Sequence, residues 1–220
     1  MTDAPVITVR GEAVVEAQPE VAHVTVHVQA QEKDRRLALD RLTERNRACL
    51  DLVRSYGEAV ERVESGGLAI SPVIRYGKHD DGEIRGYRGT AQIKLAVVDF
   101  SLLGELLTRL GDGERSYVHG PYWALRPDSP VFDDAARQAV HEAVARARGY
   151  AGALGARLTA LLELRDENTG GVPERPMALM AAPAPGGAAG GAPAPITVEP
   201  ETQTVRASVI ARFAASSPEL

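Results

Sequence analysis

The chain has 220 residues, of which 44% are hydrophobic and 25% are charged, and its net charge is −5. These values are typical of a globular chain with one domain or two small ones. The acidic balance excludes a general nucleic-acid binder, which needs a basic surface to displace counterions. The single cysteine, Cys49, excludes an intrachain disulfide.

The N-terminal residues show neither the basic segment nor the apolar run of a secretory signal peptide. No apolar run reaches the length that crosses a bilayer as a helix. We therefore expect a cytoplasmic location and no transmembrane segment.

Two strands are predicted at the start of the chain. Residues 6–15 form the first, which Gly11 interrupts, and residues 18–20 make a turn. Residues 21–30 then alternate, with valines on one face and polar side chains on the other: His23, Thr25, His27 and Gln29. This alternation predicts a half-buried antiparallel hairpin.

A long helix is predicted over residues 33–56, and Gly57 is typical of a residue that ends a helix. Its other face carries acidic and basic side chains at helical spacing, as solvated helices do. Cys49 lies in the apolar stripe, so we expect a buried, unreactive thiol. The stripe consists of Leu37, Ala38, Leu42, Cys49, Leu52, Val53 and Tyr56.

A second hairpin follows, with arms at residues 68–76 and 84–98 and a polar turn between them. Pro72 indicates an edge strand or a bulge in the first arm, because proline cannot donate a hydrogen bond to a neighbouring strand.

A short helix and a strand come next. Asp99 is a candidate N-cap for a helix that runs to Leu110 and ends at Gly111. Residues 117–125 then form a strand that carries the one tryptophan, Trp123.

The most regular element is an alanine-rich helix. Ser129 and Pro130 mark its start, and Leu154 followed by Gly155 marks its end. Small side chains recur at every fourth position, which lets the helix pack closely against a sheet. These residues are Ala135, Ala139, Ala143, Ala147 and Ala151.

The last third of the chain contains two strands, at residues 158–165 and 205–213, separated by a segment rich in Gly, Ala and Pro at residues 170–195. We expect this segment to be a flexible loop, because it buries too little side chain to offset its ordering entropy. Its glycines at 186–191 lack the strand-to-helix setting of a phosphate-binding loop. Residues 214–220 are expected to form a loose tail.

The predicted order is therefore ββαββαβαβ, a loop and a final β-strand. Hairpins that precede helices favour an α+β fold, in which an antiparallel or mixed sheet carries its helices on one face. Structure on both sides of the loop indicates one domain over residues 6–213, with the loop inserted in it.

Several short motifs occur together in a specific order. They are Val9-Arg-Gly11, Gln18-Pro19-Glu20-Val-Ala22, Ile70-Ser-Pro72 with Tyr76, Ile84-Arg-Gly86-Tyr87, Ala153-Leu154-Gly155, Pro195-Ile196 and Glu199-Pro200. In these motifs and their spacing, nearly the whole chain resembles the SIMPL-domain family, which includes YggE-like and periplasmic immunogenic proteins.

The resemblance implies an α+β domain that is often oligomeric, and ring-like or channel-like in some bacterial members. It also implies links to oxidative-stress defence, and it supplies no established catalytic residue. This chain departs from many bacterial relatives, which are exported, and its Gly/Ala/Pro segment is longer than usual.

Histidine motifs give no metal site in the sequence. His23 and His27 share a strand face, but four residues of strand separate them by roughly 13 Å, too far to share one ion. His141-Glu142 begins a zinc-helix pattern that fails because position 145 is alanine. We place both residues on the helix face that points away from the sheet.

Acidic clusters favour turns over ligand sites. His79, Asp80, Asp81 and Glu83 lack the ligand spacing of a calcium loop, and Asp and Gly are ordinary turn residues. Residues 166–168 are similarly expected to form a solvated strand end.

Four aromatic residues are candidates for an interface, where aromatics are enriched, although core packing is the simpler interpretation. They are Tyr87, Tyr117, Tyr122 and Trp123.

These observations predict a non-enzymatic scaffold that forms a homo-oligomer, with no catalytic, cofactor or metal site and a link to stress response. The alternative is a small-molecule or metal-dependent enzyme whose site forms only in the folded chain, for example at His79, Asp80 and Asp81. An unpaired strand edge would favour the scaffold.

Overall fold

A computed structural model describes residues 4–75, 83–167 and 195–219, in two compact units. One unit comprises residues 1–18, 126–187 and 202–220, and the other comprises residues 19–125 and 188–201. The elements are β1 (Val6–Ala17), β2 (Val21–Glu32), α1 (Arg35–Arg54), β3 (Val60–Arg75), β4 (Glu83–Val97), α2 (Leu103–Gly111), β5 (Ser116–Ala124), α3 (Pro130–Ala153), β6 (Leu158–Asp166) and β7 (Gln203–Ala215). Their order and their two antiparallel sheets confirm the α+β prediction.

The first unit is a three-stranded antiparallel sheet in the order β1-β7-β6. β1 pairs with β7 along its whole length, from Val6 opposite Ala214 to Ala17 opposite Gln203. The predicted hairpin of β1 with β2 is therefore wrong: β2 pairs with β4 and β5 instead. Alternation of apolar and polar residues predicts a half-buried strand but does not identify the strand that pairs with it. The partner of β1 is β7, from the far end of the chain.

α3 packs against β1 and β7 through its five recurring alanines, all of which are buried. Ser129 caps the helix by accepting a hydrogen bond from the amide of Val131 at 3.4 Å, as predicted. Gly11 belongs to this interface. A Cβ there would lie 2.7 Å from the Cβ of Ala143, so glycine permits the close approach of β1 to α3.

The C-terminal residues are held by the same unit. β7 extends to Ala215, so the predicted loose tail is wrong for Ala214 and Ala215. Beyond it, the amide of Ser216 donates to the carbonyl of Arg157 at 2.9 Å, and that of Glu219 to the carbonyl of Leu154 at 3.0 Å. The predicted loop lies outside the described residues, apart from position 195.

The second unit is a four-stranded antiparallel sheet in the order β3-β4-β2-β5. The β3–β4 hairpin confirms the prediction, although β3 begins at Val60, eight residues earlier than expected. Its first part is exposed on both faces and so lacks an alternating pattern. The largest fully buried side chains include Leu42, Ile93, Leu103, Leu106 and Leu110.

Both helices of this unit begin later than predicted. α1 begins after Asp34, whose carboxylate accepts from the amides of Arg36 and Leu37 at 2.7 and 3.1 Å. α2 begins at Leu103, and Asp99 is not its N-cap. The Asp99 carboxylate instead accepts from the amide and hydroxyl of Ser101, at 3.0 and 2.6 Å.

Candidate functional site

β6 is an edge strand with an unusually apolar surface. In the part of the chain that the structure describes, it pairs on one side, with β7. Leu161, Leu162 and Leu164 are 54%, 52% and 47% exposed. A concentration of large apolar side chains on one exposed strand is typical of an interaction surface.

The exposure of the β6 leucines follows from the position of α3. The helix covers β1 and β7 but makes few contacts with β6. An open groove of about 510 Å³ remains beside the helix. We call this the β6 groove. The residues that line it include Val144, Arg148, Leu158, Leu161 and Phe213.

A bulge sets the direction of the leucines. The pairing of β6 with β7 shifts between Leu161 and Glu163, so Leu162 is the extra residue. Leu161 lies opposite Phe213 and Leu164 lies opposite Ala211, two β7 residues of the core beneath α3. Leu161 and Leu164 therefore share the helix side of the sheet despite their odd spacing, which simple alternation would not predict.

The other face of this sheet is polar and ion-paired. Glu163 accepts from Arg165 at 2.7 Å and from Arg212 at 3.1 Å, and these hydrogen bonds lower the pKa of its carboxyl. Arg10 pairs with Glu167 at 3.1 Å, so this part of the predicted solvated strand end is tied to β1. The helix side of β6 thus carries Leu161 and Leu164, and the opposite face carries Glu163.

The second sheet also has a long exposed edge. Among the described residues, β3 pairs with β4 and has no strand on its other side. It carries Leu68, which is 64% exposed, together with the exposed Val63 and Ile74. Among the described residues, β6 of the first sheet and β3 of the second are therefore both edge strands with exposed apolar side chains.

On one face of the second sheet, β2 and β5 together carry two of the histidines and two of the aromatic residues predicted as candidates. His27 lies opposite Tyr117 of β5, and His23 lies opposite Tyr122. The rings of His27 and His119 are in contact, with centroids 5.1 Å apart. Tyr117 and Tyr122 are exposed. We call these five residues the histidine face.

The remaining aromatic candidates are not all exposed. Trp123 packs against the core, with its ring 4.8 Å from that of Phe100, as the core interpretation predicts. Tyr87 is half-buried on β4.

Glu142 reaches the sheet, contrary to expectation. Its carboxylate accepts from the amide of Glu12 on β1 at 3.2 Å and pairs with Arg146 at 3.2 Å. Arg146 in turn donates to the carbonyl of Arg10 at 2.8 Å. Glu142 therefore holds β1 against α3, because a long side chain can cross from the polar face to the sheet, while His141 stays exposed.

Cys49 is half-buried against the core of the second unit, and burial raises the pKa of its thiol to about 11. This environment favours the protonated form, in keeping with the predicted unreactive thiol.

The remaining candidates carry no described geometry. His79, Asp80 and Asp81 lie outside the described residues, as do Asn168 and the glycines at 186–191. Among residues 4–75, 83–167 and 195–219, no three His, Cys, Asp or Glu side chains converge as metal ligands. Within the same ranges, none of the helices is long and apolar enough to cross a membrane.

The sequence of this chain matches the model of a known protein family. Its sequence model, SIMPL, described as "Protein of unknown function (DUF541)", matches residues 7–213. This chain belongs to the SIMPL family. The match confirms the resemblance noted in the sequence and extends across segments of both compact units.

Relatives of this chain include the uncharacterized protein YggE of Edwardsiella ictaluri, which is 24% identical over 163 residues. That similarity covers 74% of this chain and 68% of the relative. The 26 kDa periplasmic immunogenic proteins of Brucella melitensis and Brucella abortus are 27% identical over 176 residues, covering 76% of this chain and 68% of each relative.

The cytoplasmic prediction is contradicted by these comparisons, because the two Brucella relatives are named as periplasmic. The prediction relied on the composition of the N-terminal residues, and composition at one end of a chain is a weaker indicator than similarity along three quarters of it.

Proposed function

We propose that this SIMPL-family chain is a non-enzymatic scaffold that forms a homo-oligomer, and that residues 6–213 act as a single domain with residues 170–195 as a flexible insertion. The observation that carries the proposal is the edge strand β6 with its three exposed leucines. Covering the β6 groove removes apolar surface from water, which favours association.

The occupant that we propose is a second copy of this chain. Among the described residues, each copy carries exposed apolar side chains on the edge strands β6 and β3. An edge of one copy that pairs with a different edge of the next makes a head-to-tail contact, and such contacts close into rings when the rotation permits. Main-chain hydrogen bonds between edges would add to the apolar contact.

Light scattering coupled to size-exclusion chromatography tests the proposal, over micromolar concentrations and at low and high salt. The wild-type chain is expected to elute as a discrete oligomer. The double variant Leu161→Lys/Leu164→Lys places two charges on the helix side of β6, and its mass is expected to fall towards that of the monomer.

The matched control is Leu37→Lys. Leu37 is 57% exposed but lies on the helix α1 and not on an edge strand, so the assembly is expected to persist. Circular dichroism establishes that each variant is folded. A wild-type chain that is monomeric under every condition would overturn the proposal. An equal fall in oligomer mass in the Leu37→Lys control would contradict the specific role of β6 in the assembly.

We also propose that the natural protein is exported and has a role in stress response. Export is favoured by the relatives that are named as periplasmic. The stress-response role is supported by the resemblance to the SIMPL family. Fractionation of cells that express the natural gene, and peroxide survival of a deletion strain, test the two parts separately.

A further inference from the structure

The histidine face holds an arrangement that no single strand could reveal. His27 on β2 and His119 on β5 approach each other across neighbouring strands, with ring centroids 5.1 Å apart and ring planes at 88°. Their backbones are offset, because His27 lies opposite Tyr117 while His119 lies opposite Thr25. They are therefore diagonal neighbours on one face of the sheet.

This separation suits two ligands of one metal ion. Imidazole nitrogens bind Zn²⁺ at about 2.0–2.1 Å, and a tetrahedral angle between two such bonds places the ring centroids roughly 5 Å apart. The observed 5.1 Å agrees with that value. The centroid separation of the two rings therefore agrees with that of two imidazoles that bind one ion.

The setting keeps the pair open to an ion from solvent. His119 is exposed and His27 is half-buried, so both rings are accessible. Buried alternate residues of β2, such as Val26 and Val28, fix the outward direction of the His27 side chain. The strands that carry the two histidines are hydrogen-bonded to each other, which holds their spacing on a rigid sheet.

We propose that His27 and His119 form a two-histidine site for a divalent transition-metal ion of the Zn²⁺, Ni²⁺ or Cu²⁺ class. Neutral imidazole is a preferred ligand of these ions. Water fills the other coordination positions, because no third metal-binding side chain converges there among the described residues. The proposal revises the expectation of no metal site and is independent of the proposed assembly through β6.

Titration calorimetry with ZnCl₂ at neutral pH tests the site, with an untagged chain previously treated with chelator. The wild type is expected to bind one Zn²⁺ per chain. His27→Gln and His119→Gln are each expected to weaken binding at least tenfold, because each leaves a single imidazole. The double variant, which lacks both imidazoles, should lose Zn²⁺ binding at this site and show no further effect.

Two controls change histidines that lie outside the histidine face. His141→Gln changes an exposed histidine of α3, and His79→Gln changes a histidine of the acidic sequence at residues 79–83. Both variants are expected to bind Zn²⁺ as the wild type does. Line broadening of the His27 and His119 ring signals by added Ni²⁺ in NMR spectra gives a second readout on the folded chain. Absence of Zn²⁺ binding by the wild type, or loss of binding in His79→Gln with retention in His27→Gln, would overturn the proposal.

Discussion

Gly11 of β1 lies directly beneath Ala143 of α3, so close that a Cβ added to Gly11 would stand 2.7 Å from that of Ala143. The same atom would lie closer still to the carbonyl oxygen of Ala139. Both neighbours belong to the buried alanine row, and the backbone oxygen cannot rotate away. The glycine that interrupts the sequence pattern of β1 is therefore a packing requirement of the helix.

Gly11→Ala is expected to destabilise the chain by about 1–3 kcal/mol or more, because overpacking forces β1 and α3 apart. Urea unfolding followed by circular dichroism measures the free energy of unfolding. Gly67→Ala is the control, since a Cβ at this exposed strand glycine meets nothing within 4 Å. A Gly11→Ala variant as stable as the control would contradict the packing account.

Gly149→Ala is expected to stabilise α3 by up to about 1 kcal/mol, because alanine is the better helix former and a Cβ there meets no atom within 4 Å. Gly104→Ala in α2 is the contrasting variant. It is expected to destabilise, since its Cβ would collide with the carbonyl oxygen of Ile196. The unfolding midpoints of the two variants, measured by heating and in urea, should therefore shift in opposite directions from that of the wild type.

Leu42→Ala is expected to reduce the free energy of unfolding by roughly 2–5 kcal/mol, because it opens a cavity at a fully buried position of α1. Leu37→Ala on the same helix removes a leucine that is 57% exposed, and its effect should stay within about 0.5 kcal/mol. Equal losses in the two variants would contradict the greater contribution of the buried leucine to stability.

Glu163 is expected to make stability depend on acid pH. Its hydrogen bonds to Arg165 and Arg212 hold its folded-state pKa below the usual 4.5, so folding favours the ionised form. That stabilisation is present above the unfolded pKa and is lost as pH falls through the folded pKa. Glu163→Gln should reduce the loss of unfolding free energy as pH falls through this range. Glu16→Gln, at an exposed position of β1, should not reduce it.

Cys49 is expected to react slowly with thiol reagents in the folded chain. Burial raises its pKa to about 11 from an ordinary value of 9.0, so little thiolate exists at pH 8. The reaction rate with a maleimide, measured from pH 7 to 11, should still be rising at the upper limit. In urea the inflection should return to near 9. An inflection near 9 in the folded chain would contradict the burial effect.

The candidate site was only partly accessible to sequence analysis. Exposed tyrosines at 117 and 122 were named as interface candidates, and both lie on the histidine face. The contact of His27 with His119 was missed, because spacing along one strand says nothing of a neighbour more than ninety positions away. The sequence predicts a strand at residues 158–165, but the exposure of its leucines at 161, 162 and 164 depends on where α3 lies.

The sequence by itself determined which segments form helices and strands, because hydrophobic periodicity, capping residues and turn residues act over a few neighbouring positions. It also determined the alanine face of α3 and the family. Only the tertiary structure decided which strands pair, and hence that β1 joins β7 rather than β2. It also decided that β6 remains an edge and that His27 meets His119, because contacts between distant residues depend on the packing of the whole unit.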